Sequence, residues 1–377
     1  MQVAPFELER WQSTWENKVA VNISESGVHP MNTRELLDDP ALAEELLSLR
    51  LGYPQSNGTE EIRSRVASFY PGAKMENVLL TAGCAEANFL VSWAVVEPGD
   101  EVVLMVPNYI QVQGLGEAFG AQVKPLRLRE KLRWQPDLNE LDDLVTHKTR
   151  LIAICNPNNP TGAVLSNEAR KAICDAAAKV GAYILADEVY RGAELAGEIT
   201  PSLWGSYDRL FCNGGLSKAF GLPGLRTGWI ITSPDRAEKL WTYKDYASMA
   251  PTMLTDRLAS LALESPRRER ILARTRGILN RQYPIVRDWG AKHASLLTHI
   301  PPLAGAIAWF GYSAPWKSGE MAEELRVDKG LLIVPGDQTG MEGYFRLGYG
   351  GEVNALHKGL ELMDEWFAEK TQMRAAT

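Results

Sequence analysis

A lysine attacks a carbonyl group only while part of its amine is unprotonated, which takes desolvation or a nearby positive charge. Lys218 stands in NGGLSKAFGLPGLRTGW, residues 213–229, with Leu216, Ala219, Phe220 and Leu222 to desolvate it and Arg226 to supply the charge. Alone, the same stretch also describes a surface lysine in a glycine-rich turn. Its chemistry therefore depends on what the rest of the chain brings to it.

Four other segments carry residues of suitable kinds. TAGCAEA, residues 81–87, marks a strand-to-helix junction, where free backbone N–H groups and the helix dipole attract an anion and Gly83 permits close approach. ILADEVY, residues 184–190, ends an apolar strand with an acidic pair, and a carboxylate such as Asp187 is costly there unless it has a partner or serves as a helix cap. NPNNPTG, residues 156–162, is a run of turn formers and by itself reads as a loop. GYFRLGYG sets Arg346 inside an apolar strand, where a guanidinium needs a planar anion such as an α-carboxylate, or else a structural salt bridge.

The elements that must position these residues follow from the hydrophobic pattern. From Val78 to about Thr232 short apolar strands alternate with helices: NVLLTAG, EVVLMVPN, AQVKPLRL, RLIAIC, AYILADEVY, RLFCNGG and RTGWIIT. That alternation predicts an α/β fold with a mostly parallel sheet covered by helices on both faces. Before it come an amphipathic helix over residues 6–17, a short strand entering a loop at VNISESGVHP, a helix over 33–49 capped by Thr33, and a helix from Thr59 to Tyr70. Gly27 in that loop lets the backbone approach a ligand. After the sheet, the helical patterns SPDRAEKLWTYKDYASM and PRRERILARTRGILNRQYPIVRDW precede the strands AIAWFGY, LLIVPG and YFRLGY and a closing helix from Glu352. These make a smaller α+β domain. The expected division is an arm and part of the small domain over 1–50, a large domain over 51–275 and the small domain over 276–377.

Composition narrows the class. The chain has 377 residues, 45% hydrophobic and 23% charged, with a formal charge of -7, which suits a folded chain of one large and one smaller domain. No block of lysines or arginines tracks a phosphate backbone, so nucleic acid is not an expected partner. Arg267, Arg268, Arg270, Arg274 and Arg276 have the spacing of a solvated helix face. The cysteines at 84, 155, 174 and 212 lack CxxC spacing, and the histidines form no metal-binding pair, so no metal is expected. Without a signal-peptide pattern or an apolar run long enough to span a bilayer, the expectation is a cytoplasmic protein with no membrane contact. No GxGxxG opens a helix after a strand, which argues against a dinucleotide-binding dehydrogenase.

Taken in order, these segments resemble the class I/II aminotransferases, the fold type I enzymes that use pyridoxal 5'-phosphate (PLP). The resemblance covers nearly the whole chain and implies a fold type I architecture with Lys218 as the Schiff-base lysine. It implies that the Gly83, Cys84 and Ala85 junction, Ser217 and Arg226 hold the cofactor phosphate, and that Tyr53 reaches the phosphate of a second subunit in a homodimer with shared active sites. Family members often carry serine or threonine three residues before the lysine, where this chain has Gly215. By the same resemblance Asp187 pairs with the pyridine nitrogen, Tyr190 and Asn159 meet the ring's phenolic oxygen, Tyr109 stacks on the ring, and Arg346 binds the carboxylate of an amino-acid substrate, beside Gly27 and Asn159.

This constellation serves transaminases, lyases and synthases alike. Transamination of an α-amino acid is the leading expectation. The FELERW helix, ISESGVH and SKAFGLPGLRTGW are also similar to the capreomycidine synthase type of PLP-dependent cyclase, which acts on a hydroxylated arginine. Under that alternative His29 would protonate a leaving hydroxyl, and Glu9 or Glu25 would pair with a guanidinium.

Overall fold

The computed structural model describes residues 2–375, with side chains through Thr371. Its central sheet has eight strands in the order Val78–Thr81, Gly228–Ile231, Leu210–Gly215, Tyr183–Asp187, Thr149–Cys155, Glu101–Val106, Gln122–Arg129 and Gln135–Pro136. The run from Leu210–Gly215 to Gln122–Arg129 is parallel, and Gly228–Ile231 is antiparallel to both of its neighbours. Alternate side chains enter two cores. Val103, Met105, Ile152, Ile154 and Ile184 pack on one face, and Val102, Leu104, Leu151, Ala153 and Leu185 on the other. Helices cover both faces, so Glu101–Val106 is buried at every position, as a continuous apolar run requires.

The sheet's topology gathers the chemistry. Connections leaving the carboxyl ends of Val78–Thr81, Glu101–Val106, Thr149–Cys155, Tyr183–Asp187 and Leu210–Gly215 emerge at one edge, and they carry Gly83, Tyr109, Asn159, Tyr190 and Lys218. Ligands of open α/β sheets bind at this edge.

A second, antiparallel sheet orders Leu297–His299, Ile307–Tyr312, Tyr344–Gly348 and Val334–Pro335. Val21–Asn22 pairs in parallel with Leu331–Leu332, which ties the amino-terminal segment to this carboxyl-terminal part. The boundary expected between residues 275 and 276 falls within the helix Ser265–Lys292.

Three local expectations need correction. The helix expected over 33–49 is two, Thr33–Leu36 and Pro40–Leu47. Asn32, not Thr33, caps the first through a reciprocal bond with Glu35, and Asp39 caps the second. Pro40 forces the break, because it has no N–H to continue a helix and pushes Asp39 into extended backbone (φ -122, ψ 125). Two helices, Met253–Leu263 and Ser318–Lys329, were not among those expected. The arginine run is not a solvated face: Arg267 and Arg270 pair with Asp38, Arg276 with Glu194, and Arg268 lies over the Phe69 ring. They fasten their helix to the body.

Candidate active site

A cavity of about 360 Å³ opens at the carboxyl edge of the large sheet, between it and the strand that carries Arg346. Lys218 follows the strand Leu210–Gly215 and lines this cavity. Its neighbours Leu216, Ala219, Phe220 and Leu222 are buried as expected. The charge environment is not the expected one. The Lys218 ammonium donates to Glu25 Oε1 at 2.8 Å, and burial, which lowers the amine's pKa, is outweighed by Glu25 and Tyr190, so the net shift is upward. Arg226 instead donates to the Pro223 carbonyl at 3.2 Å and lies beside Gly83. The amine is held as an ammonium by a carboxylate, where the sequence suggested a neutral amine.

Gly83 caps the helix Cys84–Val95 at φ +80, and a β-carbon there would sit 2.5 Å from Arg226 Nη2. Only glycine allows both the left-handed backbone and the approach of the guanidinium. Arg226 is itself held at φ +49, a conformation non-glycine residues adopt at a cost of about 1–3 kcal/mol and mostly at functional sites. With Ser217, Cys84 and Ala85 also lining the cavity, the helix amides, a hydroxyl and a guanidinium converge on one anion position. A side chain at residue 215, where this chain has glycine, would need the Cys84 thiol to turn aside and would crowd the Thr227 carbonyl, 3.1 Å from a β-carbon there. A β-carbon on Gly215 would meet Cys84 Sγ at 2.8 Å. Burial pushes the Cys84 thiol well above its ordinary pKa.

Asp187 ends its strand with one oxygen accepting from the Val189 N–H at 3.1 Å and a further bond from the Asn88 side chain. Neither partner is a cation. Burial pushes its carboxyl up to about 6. Arg346 is the complementary case, a buried guanidinium whose Nη1 donates to Asn159 Oδ1 at 2.9 Å and whose Nη2 donates to the Ser24 carbonyl at 2.6 Å. Its Nε has no partner, and burial lowers its pKa. Buried polar groups are usually satisfied, and the unpaired Nε of Arg346, beside the cavity, is one of three such arginine nitrogens among the described residues, with those of Arg170 and Arg267. Asn159 and Tyr190 line the same cavity, and burial pushes the Tyr190 hydroxyl up to about 12.

The amino-terminal helix Glu7–Trp15 closes one side. Tyr109 donates to Glu9 Oε1 at 2.8 Å and meets the Phe6 ring edge-on at 4.8 Å, while Gln12 donates to the Ser24 carbonyl at 3.2 Å. Glu9 therefore faces the cavity, as does Glu25, whose Oε1 also accepts from the Ser26 and Gly27 amides at 2.8 and 3.0 Å. Gly27 lies against Lys218, since a β-carbon there would be 3.6 Å from the lysine Cδ.

Two expected site residues lie elsewhere in this chain. His29 does not line the cavity: its ring packs on the Arg274 guanidinium at 3.3 Å and on Glu352 at 3.6 Å, which turns it away from Lys218. A role as proton donor to bound substrate does not fit that position. Tyr53 points outward and is 85% exposed. Glu25 contacts Lys218, and no guanidinium is its direct partner. Asn88 and Gln12 line the cavity without having been anticipated. Asn88 follows Cys84 by one helical turn, so it shares the face that Cys84 presents, and Gln12 follows Glu9 by three on its helix. Spacing of this kind would have found both.

The family model for aminotransferase class I and II matches residues 32–362. Capreomycidine synthase from Streptomyces vinaceus is 32% identical over 95% of this chain and 92% of its own length. The crystal structure of a PLP-dependent aminotransferase from Streptococcus suis superposes with a TM-score of 0.91 at 31% identity, covering 98% of this chain and 99% of that one. The PLP-dependent cyclase OrfR superposes with a TM-score of 0.88 at 26% identity, covering 98% of both chains.

Proposed function

Since the chain belongs to the aminotransferase class I and II family, with its fold type I architecture and its cofactor pyridoxal 5'-phosphate, we propose that it is an aminotransferase acting on an α-amino acid. The observation that carries this reading is the opposed pair of unmet charges in one cavity, Asp187 without a cation and Arg346 with an unpaired Nε.

The residues present fit the cofactor. The Gly83–Cys84–Ala85 turn, Ser217 and Arg226 would hold its phosphate, Asp187 its ring nitrogen, and Asn159 and Tyr190 its phenolic oxygen, with Tyr109 over the ring and Lys218 as the covalent anchor. When bound, PLP supplies an electron sink for bond cleavage at the substrate's α-carbon. Arg346 would take the α-carboxylate, and a second N–H bond beside the unpaired Nε requires Nη1 or Nη2 to exchange its present acceptor, Asn159 or the Ser24 carbonyl. Lys218 then carries the proton to and from the reacting carbon. Asp187 is the anion that keeps a ring nitrogen protonated, because a carboxyl with a pKa of about 6 ionises readily once a cation sits beside it. The bond from Tyr109 to Glu9 holds the amino-terminal helix beside the site. We further propose a homodimer, in which the exposed Tyr53 reaches the phosphate of a second copy.

A second reading, PLP-dependent cyclisation of a hydroxylated arginine, is favoured by one specific feature: Glu9 and Glu25 both line the cavity and would face a cationic side chain. It would need a proton donor other than His29. The two readings separate on a single-substrate assay. An aminotransferase given an amino acid alone forms one equivalent of keto acid and stops until pyruvate or 2-oxoglutarate is added. Continued turnover of hydroxyarginine to a cyclic guanidino acid, with no keto acid, would replace the first reading by the second.

A further inference from the structure

The contact between Glu25 and Lys218 joins residues far apart in the chain, and it is built from both sides. On the Glu25 side the loop after Val21–Asn22 is clamped before the lysine is considered. Asn22 Oδ1 accepts from the Ser24 N–H at 2.9 Å, the Gly348 N–H donates to the Ile23 carbonyl at 2.7 Å, and Arg346 and Gln12 both donate to the Ser24 carbonyl. The carboxylate is then fixed by the Ser26 and Gly27 amides, which donate to the same oxygen that receives the Lys218 ammonium. A carboxylate held this way stays ionised, and Lys218, with smaller contributions from Arg346 and the Gly27 amide, brings it down to about 2. On the lysine side Leu216, Ala219 and Phe220 are buried in the core, and the partly exposed amine reaches Glu25 across the cavity.

We propose that Glu25 is a positioning residue that acts through Lys218: it aims the amine into the cavity and supplies the counter-charge for the ammonium formed whenever that amine takes a proton. The inference rests on the assignment of Lys218 as the acting amine. The proton that leaves the substrate's α-carbon would move to Nζ and be available there for return, the cofactor when bound supplying the sink for the electron pair left behind. Glu25 neither gains nor loses one. Its effect is to lengthen the life of the ammonium, so that the proton stays within the site rather than passing to water.

The other groups facing Lys218 do not substitute for it. Tyr190 is neutral at working pH, Arg346 opposes an ammonium, and Asp187 and Cys84 act on it only at a distance. Glu16 is raised by burial and by Glu25 and Glu9, so it is a weaker anion than Glu25.

The test uses the full chain freed of cofactor, acylated with acetic anhydride across a pH series, with the extent of reaction at each lysine read by peptide mass spectrometry. Lys218 in the natural protein should label with a midpoint above that of exposed lysines. Glu25→Gln keeps an oxygen for the Ser26 and Gly27 amides, so the loop is retained, and should lower the Lys218 midpoint by about 1–3 pH units. Glu25→Asp, which keeps the charge but draws it back by one methylene, should fall between. In the holoenzyme, the pH midpoint of the bound cofactor's absorbance should move down in the same order. A Lys218 midpoint in Glu25→Gln within about 0.3 unit of the natural protein would overturn the proposal. Neither readout needs turnover. A chain that labels as expected but forms no keto acid would refute the transaminase reading and leave the role of Glu25 standing.

Discussion

Asp187 and Glu188 are consecutive residues at the end of one buried strand, and they meet opposite surroundings. Glu188 faces away from the cavity, where Oε1 accepts from the Leu203 N–H at 2.7 Å and the Ser202 hydroxyl at 2.9 Å, and Oε2 pairs with Arg191 at 3.2 Å. Arg191 spends its Nε on the Thr200 carbonyl and lies over the rings of Phe69 and Tyr70. Next to it Glu194 accepts from Gly192, Thr200 and Arg276. Asp187 has a backbone amide and an asparagine, and across the cavity Arg346 keeps an idle Nε. The same residue types are thus paired with opposite charges around Glu188, and left without an opposite charge at Asp187, in the cavity that Arg346 also lines. Burial by itself does not tell the two apart.

Five substitutions would break or sharpen that contrast. The largest effect is expected at Lys218. Lys218→Ala should lower turnover by about 10⁴-fold or more while leaving the fold intact, since its role is chemical. Borohydride reduction followed by peptide mapping should tag Lys218 and no other lysine, and a tag elsewhere would remove it from the site.

Exchanging the neighbouring acids should give opposite outcomes. Glu188→Gln breaks a buried ion pair and should cost roughly 3 kcal/mol in denaturant unfolding, with the folded fraction still active. Asp187→Asn should cut turnover by about 10²–10³-fold. It should also stabilise the cofactor-free protein, in a pH-dependent way. Because burial raises the Asp187 carboxyl from 3.8 to about 6, the folded state holds a proton that the unfolded state loses as pH climbs through this window. Stability therefore falls from about pH 4 to pH 6, by on the order of 2–3 kcal/mol, and the asparagine variant escapes that loss. If the variant gains nothing at pH 7, or gains as much at pH 4, the carboxyl is not the strained group described above.

Arg346→Lys keeps the charge but gives up the planar pair of donors. Its KM for the amino acid should rise about tenfold with a smaller change in kcat, and an unchanged KM would class Arg346 with Arg191. The smallest effect is expected at Tyr53. Tyr53→Phe removes one hydrogen bond across a proposed dimer and should weaken cofactor binding by about two- to tenfold in fluorescence titration. Equal affinity would take Tyr53 off the phosphate.

The strands and the edge where they deliver their loops were legible in the sequence, because each is a continuous apolar run ending in a turn former, and a sheet buried on both faces leaves that signature. Gly83, Asn159, Asp187 and Lys218 were singled out for a related reason, since each ends or follows such a run, and Arg346 because a guanidinium interrupts one. What stayed hidden depends on partners distant in sequence. Nothing local to SESGVH says that Glu25 meets Lys218, and nothing local to the arginine run says that Asp38 and Glu194 receive it. His29 looked available because a histidine in a loop carries no mark of the Arg274 and Glu352 side chains that turn it aside. The split at Pro40 was the exception, since the proline was in plain view and the leucine spacing masked it.

The Cys84 sulfur occupies the space that any side chain at residue 215 would require. The Thr227 carbonyl stands 3.1 Å from the same point. A side chain at 215 would therefore have to turn the thiol aside and still press on fixed backbone, so the floor of the turn beneath Lys218 is set by two neighbours of unequal stiffness, one that can rotate and one that cannot.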